Sequence, residues 1–217
     1  MYSSVKIVWE EKGHGIDINV VTPDKITQVT SDMYANALLT AGVENATVAV
    51  ASPVKVTGHS ALTGIYKAYD AEGAQLDKER MELANEELGV ATDLVNDSNL
   101  SQEEVSQLLT EIKQAISENK PATKEDVEQI VNEQLKKLDI SLSDADKQML
   151  IDLFEKMRNL NIDFDQVKEQ LQDIANTVKD KMDELGLDAG FWEKVGNFFS
   201  DLFNSIGDFF GGLLGSE

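Results

Sequence analysis

The sequence predicts an α+β fold: a small three-stranded sheet with helices, followed by an acidic, all-helical tail. Short β-rich runs mix with helical patterns over about the first 95 residues, whereas beyond residue 99 apolar side chains recur only at intervals of three and four. A Phe-rich segment comes last. We therefore expect an α+β head at 1–95, a helical hairpin or bundle at 96–186 and a Phe-rich amphipathic helix at 187–217.

The head opens with two β-rich runs, residues 5–11 and 16–21. Glycines flank His14 between them, which suits a tight connection, so the pattern predicts a β-hairpin. A helix that Ser31 caps and Gly42 ends comes next. The alternating run at 46–51 then supplies the third strand.

Two further helices complete the predicted head. Ser60 can cap a helix that bears Leu62, Ile65, Tyr66 and Tyr69. Another helix is expected from about residue 77 to residue 94. Strands mixed with helices over so short a stretch favour one compact layered arrangement.

The tail shows four helical segments, at residues 105–116, 127–138, 150–157 and 164–185. The last one alternates steps of three and four, which suits either an antiparallel hairpin or a short coiled coil. Short connections favour packing within the chain.

Side chains that end and begin helices mark the boundaries between these segments. Ser101 and Glu104 form a capping-box pair, and Thr123 and Ser143 stand where N-caps belong. Pro121 separates the first two helices.

The chain is strongly acidic, with 19 Lys and Arg against 40 Asp and Glu and a net charge of -21. Residues 1–70 hold 5 of the basic and 7 of the acidic side chains, so the acidity lies in the tail. Phosphate backbones are repelled, which argues against nucleic acid as a partner. The absence of Cys excludes disulfides and thiolate sites.

At 100° per residue, the apolar side chains of residues 191–214 fall in one arc of roughly 160°. The polar side chains fill the rest of the wheel. The arc is our candidate contact surface for a membrane or a partner. Its members are Phe191, Trp192, Val195, Phe198, Phe199, Leu202, Phe203, Ile206, Phe209, Phe210, Leu213 and Leu214.

This helix is too interrupted to cross a bilayer, which needs about 20 apolar residues. Three readings stay open: the arc packs on the chain's own helices, on a second copy, or on a membrane surface. Gly196, Gly207, Gly211 and Gly212 lower its intrinsic helicity by about 1 kcal/mol each, so it needs a surface to form on.

No catalytic constellation is recognisable, and we expect no cofactor, no metal and no enzyme. His14 lies between two glycines in a predicted turn, and His59 precedes Ser60 without an identifiable third group. The acidic stretch 139–146 superficially resembles a calcium loop, but Asp144 stands where that loop needs glycine.

Four motifs together are distinctive: residues 33–38 (MYANAL), 40–43 (TAGV), 48–53 (VAVASP) and 56–65 (VTGHSALTGI). They resemble the YpuA-like family of exported Firmicute proteins, a domain of unknown function, and the resemblance continues more loosely through the tail. It implies an envelope or extracellular setting and carries over no reaction and no catalytic residues. Family members usually begin with a signal peptide and a further segment, which we expect this chain to have lost.

The sequence therefore predicts a non-enzymatic exported protein that docks to a membrane surface or a protein partner through its C-terminal helix. The alternative is a self-assembling structural subunit, a homo-oligomer that uses strand edges or the apolar helix face. An enzyme working through carboxylates near residues 52–60 is the third hypothesis.

Overall fold

A computed structural model describes residues 3–71, 76–98 and 100–185. In that part of the chain it confirms the α+β fold, with one three-stranded sheet, seven α-helices and a single 3-10 turn. The strands are β1 (Ser4–Trp9), β2 (Ile16–Val20) and β3 (Ala46–Ala51). The helices are α1 (Ser31–Ala41), α2 (Ser60–Ala71), α3 (Lys78–Asp97), α4 (Gln102–Asn119), α5 (Lys124–Lys137), α6 (Asp144–Asn159) and α7 (Lys168–Glu184), the last one following the 3-10 turn Phe164–Val167.

The predicted β1–β2 hairpin is wrong. The strand order is β1-β3-β2, in which β3 pairs antiparallel with β1 and parallel with β2. β3 is the most apolar of the three strands, with Ala46, Val48 and Val50 fully buried, so the central position suits it best. Lys6 on β1 and Asp17 on β2 are exposed, as edge strands allow.

The connection around His14 is held by β3 instead of by a hairpin turn. The backbone N–H groups of Gly13 and Gly15 donate to the side-chain oxygen of Asn45, at 2.8 and 3.2 Å. Asn45 immediately precedes β3 and thereby anchors the loop between the two edge strands.

Most of the predicted helix ends are confirmed. Gly42 ends α1 in the left-handed conformation, Ser101 with Glu104 forms a complete capping box, and Thr123 and Ser143 cap α5 and α6. The predicted cap at Ser31 is one residue off, because Thr30 has the extended backbone and accepts the Met33 N–H.

Helix α4 lies at the centre of the molecule and packs on α1, α3, α5 and α7. All of its residues from Val105 to Ser117 are buried. Helices α3, α4, α5 and α6 contact one another in a closed ring, and α7 packs within the chain on α4 and α1. The buried side chains of sheet and helices form one contiguous core.

The sheet has a helix-covered face and an outer face. Val5, Ile7 and Ile18 pack against the core from the covered face. Side chains alternate along a strand, so Lys6, Val8 and their β2 and β3 neighbours point the other way. No helix in the described ranges packs on that outer face.

Candidate functional site

All twelve predicted contact residues of the C-terminal arc lie outside the described residues. They therefore stay a prediction. The structure instead shows what surface the rest of the chain offers.

The described residues expose few large apolar side chains: Val8, Trp9, Val21, Val54 and Leu185. The apolar positions predicted for the tail helices are buried in the core, except Leu185, which lies just after the last helix and is exposed. Two of the exposed side chains, Val8 and Trp9, belong to β1, so the largest concentration lies on an edge strand.

The outer edge of β1 carries backbone groups that β3 does not use. Glu10 N–H donates to Asn45 O at 3.3 Å, and hydrogen-bonded pairs alternate along an antiparallel ladder. Lys6 and Val8 therefore direct their backbone groups toward β3, whereas the N–H and C=O groups of Val5, Ile7 and Trp9 point away from it. No other described strand pairs with β1.

Helix α2 touches β1 through side chains. A Cβ atom built on Gly64 would lie 3.1 Å from a methyl group of Val5, which records how closely the helix approaches the strand. At the other end, the Trp9 and Tyr69 rings meet edge to face with centroids 3.8 Å apart. These contacts lie on the covered face of the sheet, so the outward-pointing backbone of β1 stays free of them.

The outer edge of β2 is different, because helix α7 lies beside it. A cleft of about 170 Å³ separates the two elements, with Ile16 and Ile18 on one wall and Gln170 and Ile174 on the other. Lys181 of α7 donates to Asp32 of α1, which lines this cleft, and so joins α7 to α1 beside β2. Within the described residues the two edges of the sheet are thus unequal: α7 lies beside the outer edge of β2, and no strand pairs with the outer edge of β1.

A polar cluster lies in the core where α1, α3 and α4 meet. Lys113 Nζ lies 2.5 Å from Glu87 Oε1, and both side chains have 1% exposure or less. The same ammonium group donates to Asn36 O at 2.8 Å, and Thr40 donates to the second Glu87 oxygen at 2.5 Å. Asn36 also donates to Thr110 at 2.9 Å.

Burial lowers the pKa of Lys113 below its ordinary value of 10.5, and the neighbouring Glu87 carboxylate partly offsets this effect. A second buried pair, Lys137 with Glu111 at 2.5 Å, joins α5 to α4. The sequence reasoning missed both pairs. No local signal identified them, because polar residues such as Gln107 and Glu111 alternate with apolar ones along α4, as they do on a helix with one exposed face.

The two histidines contact threonine hydroxyls, and neither pairs with Ser60. His14 is exposed, and His59 bonds through its ring nitrogens to Thr57 and Thr92, each at 3.1 Å. The Ser60 hydroxyl pairs with Ser3 at 3.0 Å. The structure therefore does not bring His59 and Ser60 together.

The described residues contain no group of three or more His, Cys, Asp or Glu side chains placed to hold a metal ion. None of the described helices is both long enough and apolar enough to cross a bilayer. Asp146, from the stretch that resembles a calcium loop, accepts a hydrogen bond from Ser143 at 2.7 Å instead. Further clefts lie between α2 and α3, at about 570 Å³, and beside Lys120 and Arg158, at about 350 Å³.

Comparison with known proteins identifies the family. Residues 1–174 match the model of DUF1002, described as a protein of unknown function. The chain belongs to the DUF1002 family. It is 35% identical over 206 residues to the uncharacterized protein YpuA of Bacillus subtilis (strain 168), covering 94% of this chain and 69% of YpuA. No solved structure matches the chain.

This finding confirms the family resemblance that the head motifs predicted. The DUF1002 match includes the sheet, the polar cluster around Lys113 and helices α1 to α6. It ends at residue 174, before the predicted contact residues of the C-terminal arc.

Proposed function

We propose that this DUF1002 protein is a non-enzymatic, exported docking protein of the cell envelope, which attaches to a membrane surface through residues 191–214. The observation that carries the proposal is the scarcity of exposed apolar side chains on the described body. An arc of twelve large apolar side chains has no counterpart there, so it needs a surface that the body does not offer.

The size of the arc supports this reasoning. Each large apolar side chain removed from water is worth about 1.5–3 kcal/mol, so the burial of twelve is worth tens of kcal/mol before ordering costs. A 24-residue helix is about 36 Å long. A cleft of about 570 Å³ lies between α2 and α3, and both apolar side chains, such as Leu76 and Met81, and charged ones, such as Lys67, line it. This cleft is too small to take such a helix.

Charge selects the kind of membrane. Residues 186–217 contain five acidic side chains and one basic side chain, Lys194. Each like charge near an anionic leaflet costs on the order of 1 kcal/mol. We therefore expect attachment to zwitterionic lipid to exceed attachment to anionic lipid.

Tryptophan fluorescence tests the proposal in the full-length chain, which has two tryptophans, Trp9 and Trp192. The Trp9→Phe variant leaves Trp192 as the sole reporter, and Trp192→Phe leaves Trp9 as the matched control. With zwitterionic vesicles, we expect a blue shift for Trp9→Phe and none for Trp192→Phe. No shift in the Trp9→Phe variant with either zwitterionic or anionic vesicles overturns the proposal.

A pair of charge substitutions locates the contact on the arc. Phe203→Asp and Ser205→Asp add the same charge, the first on the apolar side of the wheel and the second on the polar side. Vesicle co-sedimentation is expected to fall at least tenfold for Phe203→Asp and to change little for Ser205→Asp. Equal loss in both variants points to charge alone and counts against an apolar contact.

Self-assembly into a structural subunit is the second candidate function. The observation in its favour is the open edge of β1, because an unpaired strand edge is a template for another strand. The apolar helix face is the other surface that this candidate can use.

A further inference from the structure

We propose that β1 pairs antiparallel with β1 of a second copy of this chain, across a two-fold axis at Ile7, to give a continuous six-stranded sheet. This inference rests on the second candidate function and gives it a surface, a partner and a register. It is independent of membrane attachment.

The first argument is that β1 is the edge left open. Its outward N–H and C=O groups, on Val5, Ile7 and Trp9, have no strand partner among the described residues. The corresponding edge of β2 faces helix α7 across the cleft of about 170 Å³. Among the described elements, an incoming strand therefore meets α7 at the edge of β2, whereas at β1 the neighbouring helix α2 lies on the covered face of the sheet.

The second argument is charge, which makes this part of the head the least repulsive surface for a second copy. A chain of net charge -21 repels itself through most of its surface. Residues 1–70 are the exception, with 5 basic and 7 acidic side chains. Within residues 3–12 the two signs balance, with Lys6 and Lys12 against Glu10 and Glu11. Two copies therefore meet the least electrostatic repulsion when they approach through this part of the head.

The third argument is register. Because the outward-pointing residues are the odd-numbered ones, hydrogen-bonded pairs across the new interface must join odd residues. Centring the axis on Ile7 places Val5 opposite Trp9, a β-branched and aromatic pair of the kind that stabilises sheets. It also places Lys6 opposite Val8. Centring the axis on Lys6 instead sets two lysines directly opposite each other, which is unfavourable.

This pairing satisfies the exposed backbone and covers exposed apolar surface. Ile7 pairs with its own copy, and each Val5 pairs with the Trp9 across the axis, so the outward N–H and C=O groups of all three residues gain partners. Val8 and Trp9, which are 42% and 36% exposed in the single chain, both lie in the new interface.

Two substitutions at Val8 test the register through its expected neighbour, Lys6. Val8→Glu creates two opposite-charge pairs per dimer, and Val8→Lys creates two like-charge pairs. From the size of such cross-strand pairs we expect dimer dissociation constants about fivefold lower and about fivefold higher, respectively. Sedimentation velocity over a concentration series measures both constants on the full chain.

The sign of these effects separates pairing from general repulsion. On a chain of net charge -21, general repulsion alone predicts weaker association for Val8→Glu and tighter association for Val8→Lys. Val21→Lys is the matched control, because Val21 is 54% exposed at the end of β2. We expect this control to leave association unchanged or slightly tighter.

Cysteine cross-linking tests the same register directly, since the chain has no Cys of its own. Lys6 and Val8 form a non-hydrogen-bonded pair across the proposed interface, where Cα atoms are about 4.5 Å apart and a disulfide can close. A mixture of Lys6→Cys and Val8→Cys chains is expected to cross-link under mild oxidation, and neither variant alone is.

The outcomes distinguish this inference from the function it rests on. A monomer at every concentration overturns both self-assembly and the β1 interface. If neither Val8 substitution changes the dissociation constant and the mixture forms no cross-link, the β1 interface is overturned. Assembly through the apolar helix face then remains. Reversed signs at Val8 also overturn the interface, because they indicate repulsion alone.

Discussion

The ammonium nitrogen of Lys113 lies 2.5 Å from a carboxylate oxygen of Glu87 inside the helical core. Lys113 comes from α4 and Glu87 from α3, and the carbonyl oxygen of Asn36 on α1 takes a second ammonium hydrogen. Since both charges lose their hydration, such a pair adds little net stability. Its consequence is geometric: the ion pair joins α3 to α4, and the bond to Asn36 joins α4 to α1.

Removing one member of this pair is expected to be costly. Lys113→Met leaves the Glu87 carboxylate buried without its cation, for which we expect a loss of about 3–5 kcal/mol in the free energy of unfolding. Urea denaturation followed by circular dichroism measures this loss. The double variant Lys113→Met/Glu87→Leu, which removes both charges, is expected to recover much of it.

An exposed pair supplies the control. Lys124 and Asp152 lie 2.8 Å apart with side chains 47% and 49% exposed. Lys124→Met is expected to cost at most about 1 kcal/mol. A similar cost for Lys113→Met means that the core pair is hydrated or neutral, and contradicts the buried ion pair.

The fold is sensitive to alkali, because burial raises the pKa of three tyrosines, Tyr34, Tyr66 and Tyr69. Burial raises the pKa of Tyr34 and of Tyr66 above the ordinary value of 10.0, and the charge of Glu87 adds to the effect at Tyr66. Above pH 10 the unfolded chain therefore loses tyrosine protons that the folded chain retains. Stability present below pH 10 is lost as the pH rises, by up to about 1.4 kcal/mol per pH unit for each tyrosine.

Phenylalanine substitutions of Tyr34 and Tyr66 are expected to differ at neutral pH. Tyr34 donates to Gly58 O at 2.6 Å, so Tyr34→Phe is expected to cost about 1 kcal/mol. The buried Tyr66 hydroxyl has no hydrogen-bond partner among the described residues, so Tyr66→Phe is expected to be neutral or stabilising.

The two variants are expected to behave alike in alkali. Both should flatten the loss of stability between about pH 10.5 and pH 12 relative to the unsubstituted chain, since the contribution of Lys113 is common to all three proteins and cancels in the comparison. Denaturation across this range measures the slopes. An unchanged slope in both variants means that neither hydroxyl retains its proton in the folded chain.

Local signals explain which parts of the fold could be predicted from sequence. The capping box of Ser101 and Glu104 and the left-handed cap at Gly42 act over four residues or fewer, and the apolar period identifies each helix on its own. These features need no knowledge of distant partners, so the prediction holds for them.

Strand order and the polar core depend on distant partners, and there the sequence was insufficient. β1 pairs with a strand about 40 residues away, and the glycines around His14 suit a hairpin as well as they suit the observed loop. Lys113 lies on a helix of mixed polarity, so its burial can be predicted only once Glu87, 26 residues away, is known to face it. The alternation of Val5 and Ile7 correctly indicated a strand but could not show that its outer edge is open.

Glycine at position 58 is expected to be indispensable. Its φ of 114° is one that side chains rarely adopt, and an added Cβ would lie 2.7 Å from the Tyr34 hydroxyl and 2.9 Å from Ile26 and Val29. Gly58→Ala is therefore expected to cost more than about 1–3 kcal/mol, because backbone strain adds to the steric clash.

Gly89, in the middle of α3, is the matched control. A Cβ built there meets nothing within 4 Å, and the helical backbone favours alanine. Gly89→Ala is expected to gain about 0.5–1 kcal/mol. Thermal and urea denaturation of both variants check the two signs. A stable Gly58→Ala protein would mean that the turn before α2 relaxes freely.

The contact between Lys181 and Asp32 is expected to hold the last turn of α7. Lys181 Nζ lies 2.5 Å from Asp32 Oδ2 and 3.2 Å from the Ser31 hydroxyl. Asp32 is 9% exposed at its side chain, so Lys181→Met leaves a carboxylate nearly buried without its cation. The positive end of the α1 dipole still favours that carboxylate. We therefore expect a moderate loss of about 1–2 kcal/mol.

Hydrogen exchange gives this last prediction a local measurement. In Lys181→Met the amides of residues 178–184 are expected to exchange at least tenfold faster, while those of α4 change only with global stability. Lys168→Met is the control on the same helix, because Lys168 is 62% exposed and 3.8 Å from Glu118. If the amides of residues 178–184 exchange at the same rate in the two variants, the Asp32 contact does not hold the end of α7. The packing of Val178 and Met182 against the core is then sufficient to hold it.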